Sequence, residues 1–181
     1  MQRKTTVAIV SDTHGFLDPR IAKIVQDCHY AVHAGDVMAA SVLDAMRPRS
    51  GRVVAVAGNN DIPEKWSEFE ADIVQQLPHV AELKLPGGIL AIEHGHRHGQ
   101  HAPRHDLLRR THPHAIVYGH SHQLVCDQEK KPWVINPGAV GRVRTHGGPS
   151  CLVLTATIES WTLEPHRFAL HADGMVTHDH M

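Results

Sequence analysis

Five short polar blocks carry side chains able to ligate a metal ion: Asp12-Thr13-His14, Gly35-Asp36, Gly58-Asn59-Asn60-Asp61, Glu93-His94-Gly95-His96 and Gly119-His120-Ser121-His122. Carboxylate, imidazole and amide oxygen together suit borderline divalent ions such as Mn, Fe, Zn or Ni. Histidine alone proves little here. It occurs 18 times in 181 residues, so a His-x-His pair is expected roughly twice by chance. Such pairs fall at 94/96, 96/98, 112/114, 120/122 and 178/180. Taken singly, each block also admits a plainer reading. Asp12 could cap a helix, Asp36 and Asn59-Asn60-Asp61 could be turn residues, and the histidines could be solvated. What unites the blocks is position: each follows an apolar run.

Those runs define the elements that must position the blocks. Thr5 to Val10 is β-branched and apolar and stops at Ser11-Asp12, which predicts a buried strand. Ile21, Ile24, Val25 and Cys28 recur at helical spacing. Tyr30 to Val32 predicts a second strand, Ser41 to Met46 a short helix stopped by Pro48 and Gly51, and Arg52 to Ala57 a third strand. Val80 to Leu85 and Ile89 to Glu93 flank Pro86-Gly87-Gly88 as a hairpin. A helix is expected around Arg104 to Arg110, then short strands at 115–118, 124–126, 133–135, 151–155 and 160–163. Alternating strands and helices imply parallel pairing and an α/β class. The expected architecture is a four-layer α/β/β/α sandwich, two packed mixed sheets flanked by helices. One domain is expected over 1–181, with a core of about 5–165 and a loosely held tail from 167. In open α/β sheets, ligands bind outside the carboxyl ends of the strands, where these blocks fall.

Composition narrows the function. The chain is 41% hydrophobic and 20% charged, with a net charge of −1. That is globular composition, and it offers no basic field for nucleic acid. The apolar run behind the basic start is too short for a signal peptide or a membrane span. Cys28, Cys126 and Cys151 are widely spaced, which fits reduced thiols in a cytoplasmic protein.

In this order, and with Asn136-Pro137-Gly138 after them, the five blocks resemble the calcineurin-like metallophosphoesterases, specifically their small bacterial and archaeal stand-alone phosphodiesterases. The likeness spans roughly Thr5 to Pro165. It implies hydrolysis of a small-molecule phosphate ester, most simply a phosphodiester, by a hydroxide bridging two divalent metals. Manganese is the first choice, with Ni, Zn, Fe or Mg as alternatives. Asp12, His14 and His122 would hold the first metal, and Asn59, His94 and His120 the second. Asp36 would bridge both, which holds such ions about 3.5–4 Å apart. His96 would sit over the pocket against the phosphate or leaving group, and Asp61 would orient a neighbouring group. One position departs from the family. Where many members carry a histidine, and the small branch often a cysteine, this chain has Asn60. An amide is no general acid, a role that contributes about 10²–10⁴-fold. Protonation of the leaving group then falls to water, to His96 or to another histidine, and good leaving groups are favoured.

Two alternatives stay open within the fold: a phosphomonoesterase and a nucleotide pyrophosphatase. A third belongs to another class, a protein-binding scaffold like the retromer subunit of this fold. All seven ligand positions are filled by competent types, which favours catalysis. Self-association is compatible with the family. His33 reads as a packed or hydrogen-bonded loop residue, and His98, His101 and His105 as a solvated face or, in the minority reading, substrate contacts. Arg142 and Arg144 could equally reach a phosphate or face solvent. Trp66, Trp133 and Trp161 read as core or interface residues.

Overall fold

The computed structural model describes residues 4–98 and 111–170. Five strands form a first sheet: β1 (Thr5–Val10), β2 (Tyr30–His33), β3 (Val53–Ala55), β9 (Ser150–Ala156) and β10 (Trp161–Arg167), in the order β10-β9-β1-β2-β3. The second sheet orders β4 (Val80–Leu85), β5 (Gly88–Glu93), β6 (Ala115–Val117), β8 (Trp133–Pro137) and β7 (Leu124–Asp127) as β4-β5-β6-β8-β7. Both are mixed. β1-β2-β3 and β5-β6-β8 are parallel triplets, and each is flanked by antiparallel strands.

Alternation along the strands builds two cores. Val7, Ile9 and Leu154 of the first sheet meet Leu90, Ile92 and Ile135 of the second, all fully buried. Ala8, Val10 and Ala31 face the other way, against helices α1 (Pro19–Asp27), α2 (Ala40–Ala45) and α3 (Ala71–Gln76). Each fully buried Val, Leu or Ile contributes about 1.5–3 kcal/mol. Helix α1 starts where Asp18 accepts from the Arg20 N–H at 2.9 Å, with Pro19 in its first turn. Its apolar stripe buries Ile21 and Val25.

The α/β fold with two packed mixed sheets is the expected one. The helix expected at 104–110 lies outside the described residues. Several boundaries differ, most at β3 and at β10, which runs to Arg167 rather than 163. β3 is shorter than the apolar run 52–57, because the chain peels away at Ala57, whose N–H donates to Pro78 O at 2.8 Å rather than along β2. The chain is held past 167: Arg167 pairs with Ser150, and the Phe168 N–H donates to Pro149 O. Residues 171–181 lie outside the description.

Candidate functional site

The two parallel triplets end at a shared edge. From the first sheet come Asp12 and His14 after β1, Asp36 after β2 and Asn59 after β3; from the second come His94 after β5 and His120 and His122 after β6. The turns that make this edge are strained. Asp12 (φ 53°), His14 (45°), Asp36 (55°), His120 (67°) and His122 (59°) all occupy the left-handed region without being glycine, a conformation that costs on the order of 1–3 kcal/mol per residue. One glycine is indispensable. A Cβ on Gly58 would lie 2.2 Å from Asp36 Oδ1 and 2.3 Å from Asp36 N, so the loop carrying Asn59 can lie against Asp36 only without a side chain there.

Among the described residues, two groups can converge on an ion. They are Asp12 with His14 and His122, and Asp12 with Asp36 and His94; within each group the ligand atoms lie within 4.8 Å of one another. Asp36 Oδ2 faces both groups, 3.8 Å from His14 Nε2 and 3.4 Å from His94 Nε2. Asn59 Oδ1 lies 3.2 Å from His94 Nε2. His120 stands at the rim, exposed, with its ring centroid 5.3 Å from that of His94 and its N–H on Asp12 Oδ2.

Hydrogen bonding shows what the cluster lacks. The His94 Nδ1–H donates to Ala34 O at 2.8 Å, and the His122 Nδ1–H to Val143 O at 3.0 Å. His122 Nε2 therefore points inward with its lone pair, whereas His94 Nε2 faces Asn59 Oδ1 and Asp36 Oδ2, two acceptors that favour a proton on it. His122 Nε2 meets His14 Nε2 at 3.2 Å and Asp12 Oδ1 at 3.3 Å. Asp12 Oδ1 is buried without a hydrogen-bond partner, while Oδ2 accepts from the Ser11 hydroxyl at 2.8 Å. Two buried carboxylates, one of them with an unpartnered oxygen, make this pocket attract positive charge. The ionisation tendencies agree. Burial, only partly offset by His94, lifts Asp12 to about 7. Burial alone would lower His94, but the Asp36 and Asp12 carboxylates raise it. Asp36 is pushed up by burial, yet the bonds from His94 and Asn60 hold it well below the usual range. Burial lowers His14 and His120 and takes His122 to about 4, leaving neutral imidazoles at pH 7. A divalent cation fits this donor set.

The remaining candidates separate by role. Burial and the neighbouring His94 lower His96 to about 4; its ring centroid lies 5.5 Å from that of His94, and its Nδ1 is buried without a partner. Asn60 is committed to Asp36, its N–H on Oδ1 at 2.8 Å and its side-chain amide on Oδ2 at 2.7 Å, while the Lys65 ammonium donates to Asn60 Oδ1. Asp61 does not reach the metal-ligating atoms. Its carboxylate accepts from the N–H groups of Val37, Met38 and Gly58 and from the Trp66 indole, bracing the loop after β2 against the loop after β3. His33 is fully buried, with Nε2 2.9 Å from the Thr13 hydroxyl and Nδ1 accepting from the Gly35 N–H, and so joins two ligand loops. Asn136 ties the His120–His122 turn, donating to Gly119 O and the Ser121 hydroxyl. Sequence reasoning missed Ser11, Lys65 and the bracing by Asn136. Arg144 is brought to His122, whereas Arg142 lies over the Phe16 ring. His101, His105 and the His98 side chain lie outside the described residues.

A profile of the calcineurin-like phosphoesterase superfamily domain matches residues 6–159. The chain belongs to that superfamily. Among the relatives of this phosphoesterase is a phosphodiesterase of Methanocaldococcus jannaschii, 27% identical over 142 residues, covering 73% of this chain and 82% of the relative. Among solved structures, Chaetomium thermophilum Vps29 superposes with a TM-score of 0.75 at 15% identity, over 94% of this chain and 92% of that one. A zinc complex of wild-type Vps29 from Entamoeba histolytica gives 0.61 at 16% identity, over 90% and 98%. At these identities the two structures speak for the fold alone.

Proposed function

We propose that this phosphoesterase hydrolyses a small-molecule phosphodiester at two divalent cations, manganese by first choice. The observation that carries the reading is the convergence of Asp12 with His14 and His122, and of Asp12 with Asp36 and His94, with Asp12 Oδ1 buried and without a hydrogen-bond partner. Asp12, His14 and His122 would hold one ion, Asn59, His94 and His120 the other, with Asp36 between them. Bound there, the ions would acidify a water near neutral pH and shield phosphate charge. The likeness to a phosphodiesterase supports the diester preference.

This chain's own residues shape the rest. Asn60 keeps Asp36 oriented and supplies no proton. His96 is neutral at pH 7, so it offers the leaving oxygen a hydrogen bond rather than the proton of an imidazolium. Ester oxygens that leave as stable anions then react fastest, and aryl diesters should outpace alkyl diesters. Three free thiols accord with a cytoplasmic setting, and no helix among the described residues is long and apolar enough to cross a membrane.

The test strips the protein of metal, then measures bis-aryl and mono-aryl phosphate hydrolysis with Mn, Ni, Zn or Mg, beside Asp36→Ala. Metal-restored diester hydrolysis, absent from the variant, is the expected result. A monoester preference would move the reading to a phosphomonoesterase. Tight metal binding without hydrolysis would favour a protein-binding scaffold, the alternative that the Vps29 likeness leaves standing.

A further inference from the structure

The loop after β8 is pinned along the candidate site. The Val140 N–H donates to Ser11 O at 3.1 Å, the Gly141 N–H to Asp12 O at 3.3 Å, and Val143 O accepts from His122 Nδ1. This pinning delivers Arg144, whose guanidinium Nη2 lies 3.3 Å from His122 Nε2. Arg144 takes φ 50° although it is not glycine, a strain that the loop's anchoring sustains. Arg142, two residues earlier, is turned onto Phe16, 4.0 Å from the ring centroid.

His122 Nε2 has one lone pair, because its Nδ1–H is given to Val143 O. The guanidinium donates to that lone pair. A cation held by His122 would need the same lone pair and would repel the like charge, so the two would not share His122. Without that acceptor the guanidinium would keep five N–H donors and no acceptor. An anion drawn to the cations answers this need, and a phosphoryl group's free oxygens match the guanidinium fork better than they match an ammonium. We propose that Arg144 is the phosphoryl clamp of this site, moving from His122 onto the substrate's non-bridging oxygens when the cations are in place. The proposal rests on the two-cation reading above.

Calorimetric titration with inorganic phosphate tests it, using Mn-loaded wild type, Arg144→Gln, Arg144→Lys and Arg142→Gln. Mn affinity and melting temperature are measured on each. Removing the clamp should weaken phosphate binding roughly ten- to a hundredfold, with Arg144→Lys intermediate and Arg142→Gln unchanged. Mn should bind Arg144→Gln as tightly as wild type or more tightly, since its competitor for His122 is gone. In bis-aryl hydrolysis the loss should appear in KM. Phosphate affinity within twofold of wild type in a folded, Mn-binding Arg144→Gln would overturn the clamp and leave the two-cation reading intact. Wild type that binds neither Mn nor phosphate would overturn both.

Discussion

Replacing Asp61 by asparagine separates a bracing residue from a chemical one. Asp61 Oδ2 accepts from the Gly58 N–H at 2.8 Å and the Val37 N–H at 3.1 Å, and Oδ1 from the Met38 N–H at 2.9 Å and the Trp66 indole at 3.2 Å. An amide has one acceptor oxygen. Whichever way the substituted side chain turns, two N–H donors meet an NH₂ instead of an oxygen. Bonds to a charged acceptor contribute about 1.5–3 kcal/mol each, so losing two should destabilise the protein by about 3–6 kcal/mol, against a typical total of about 5–15 kcal/mol. Urea denaturation of metal-free wild type and Asp61→Asn reads this directly. Trp66→Phe, which removes one of the four donors, should lose about 1.5–3 kcal/mol of hydrogen bonding. Metal affinity should fall with stability, because the braced loops carry Asp36 and Asn59. An Asp61→Asn protein that unfolds within about 1 kcal/mol of wild type would show that the Asp61 carboxylate does not brace these loops.

Other outcomes follow from the same geometry. Gly58→Ala forces a Cβ to within 2.2 Å of Asp36 Oδ1; metal affinity should drop at least about tenfold, as read by Mn titration. His33 is buried and lowered to about 4 by burial. The unfolded chain therefore binds the proton first, and metal-free stability, full above about pH 6.5, should fall as pH drops toward 4, by up to about 3 kcal/mol. His33→Gln should flatten that slope in denaturation series at pH 5 and 7.5. Metal loading at pH 7 should release protons, since Asp12, lifted to about 7 by burial, is partly protonated there and must ionise to ligate; calorimetry in buffers of different ionisation enthalpy counts them.

The strands and the blocks at their ends are legible in the sequence, because a buried parallel strand writes itself as an uninterrupted apolar run and its end as a change to polar residues. Thr5–Val10 with Asp12 and His14 shows both. What cannot be read is contact between distant loops. Nothing near Asp61 announces that its carboxylate will meet Val37 and Met38, and nothing near Asn136 announces Gly119. Helix α3 escapes a sequence reading because Val74 is its only buried residue, too little to write a periodic stripe. Arg142 and Arg144 are alike in sequence; in the fold, one lies on a phenylalanine and the other on a candidate ligand.

That the candidate ligand atoms come from both sheets gives the interior an unusual job. Asp12, His14, Asp36 and Asn59 ride on one sheet and His94, His120 and His122 on the other, so the distances among them are set by how Ile9 and Leu154 seat against Leu90 and Ile92. If the proposed cations bind there, the seam would work as a pair of jaws whose gap must suit an ion. A methylene removed far below the pocket would then shift that gap, and metal affinity would become a gauge of core packing. An ion in the jaws, in turn, would clasp the two halves of the sandwich together.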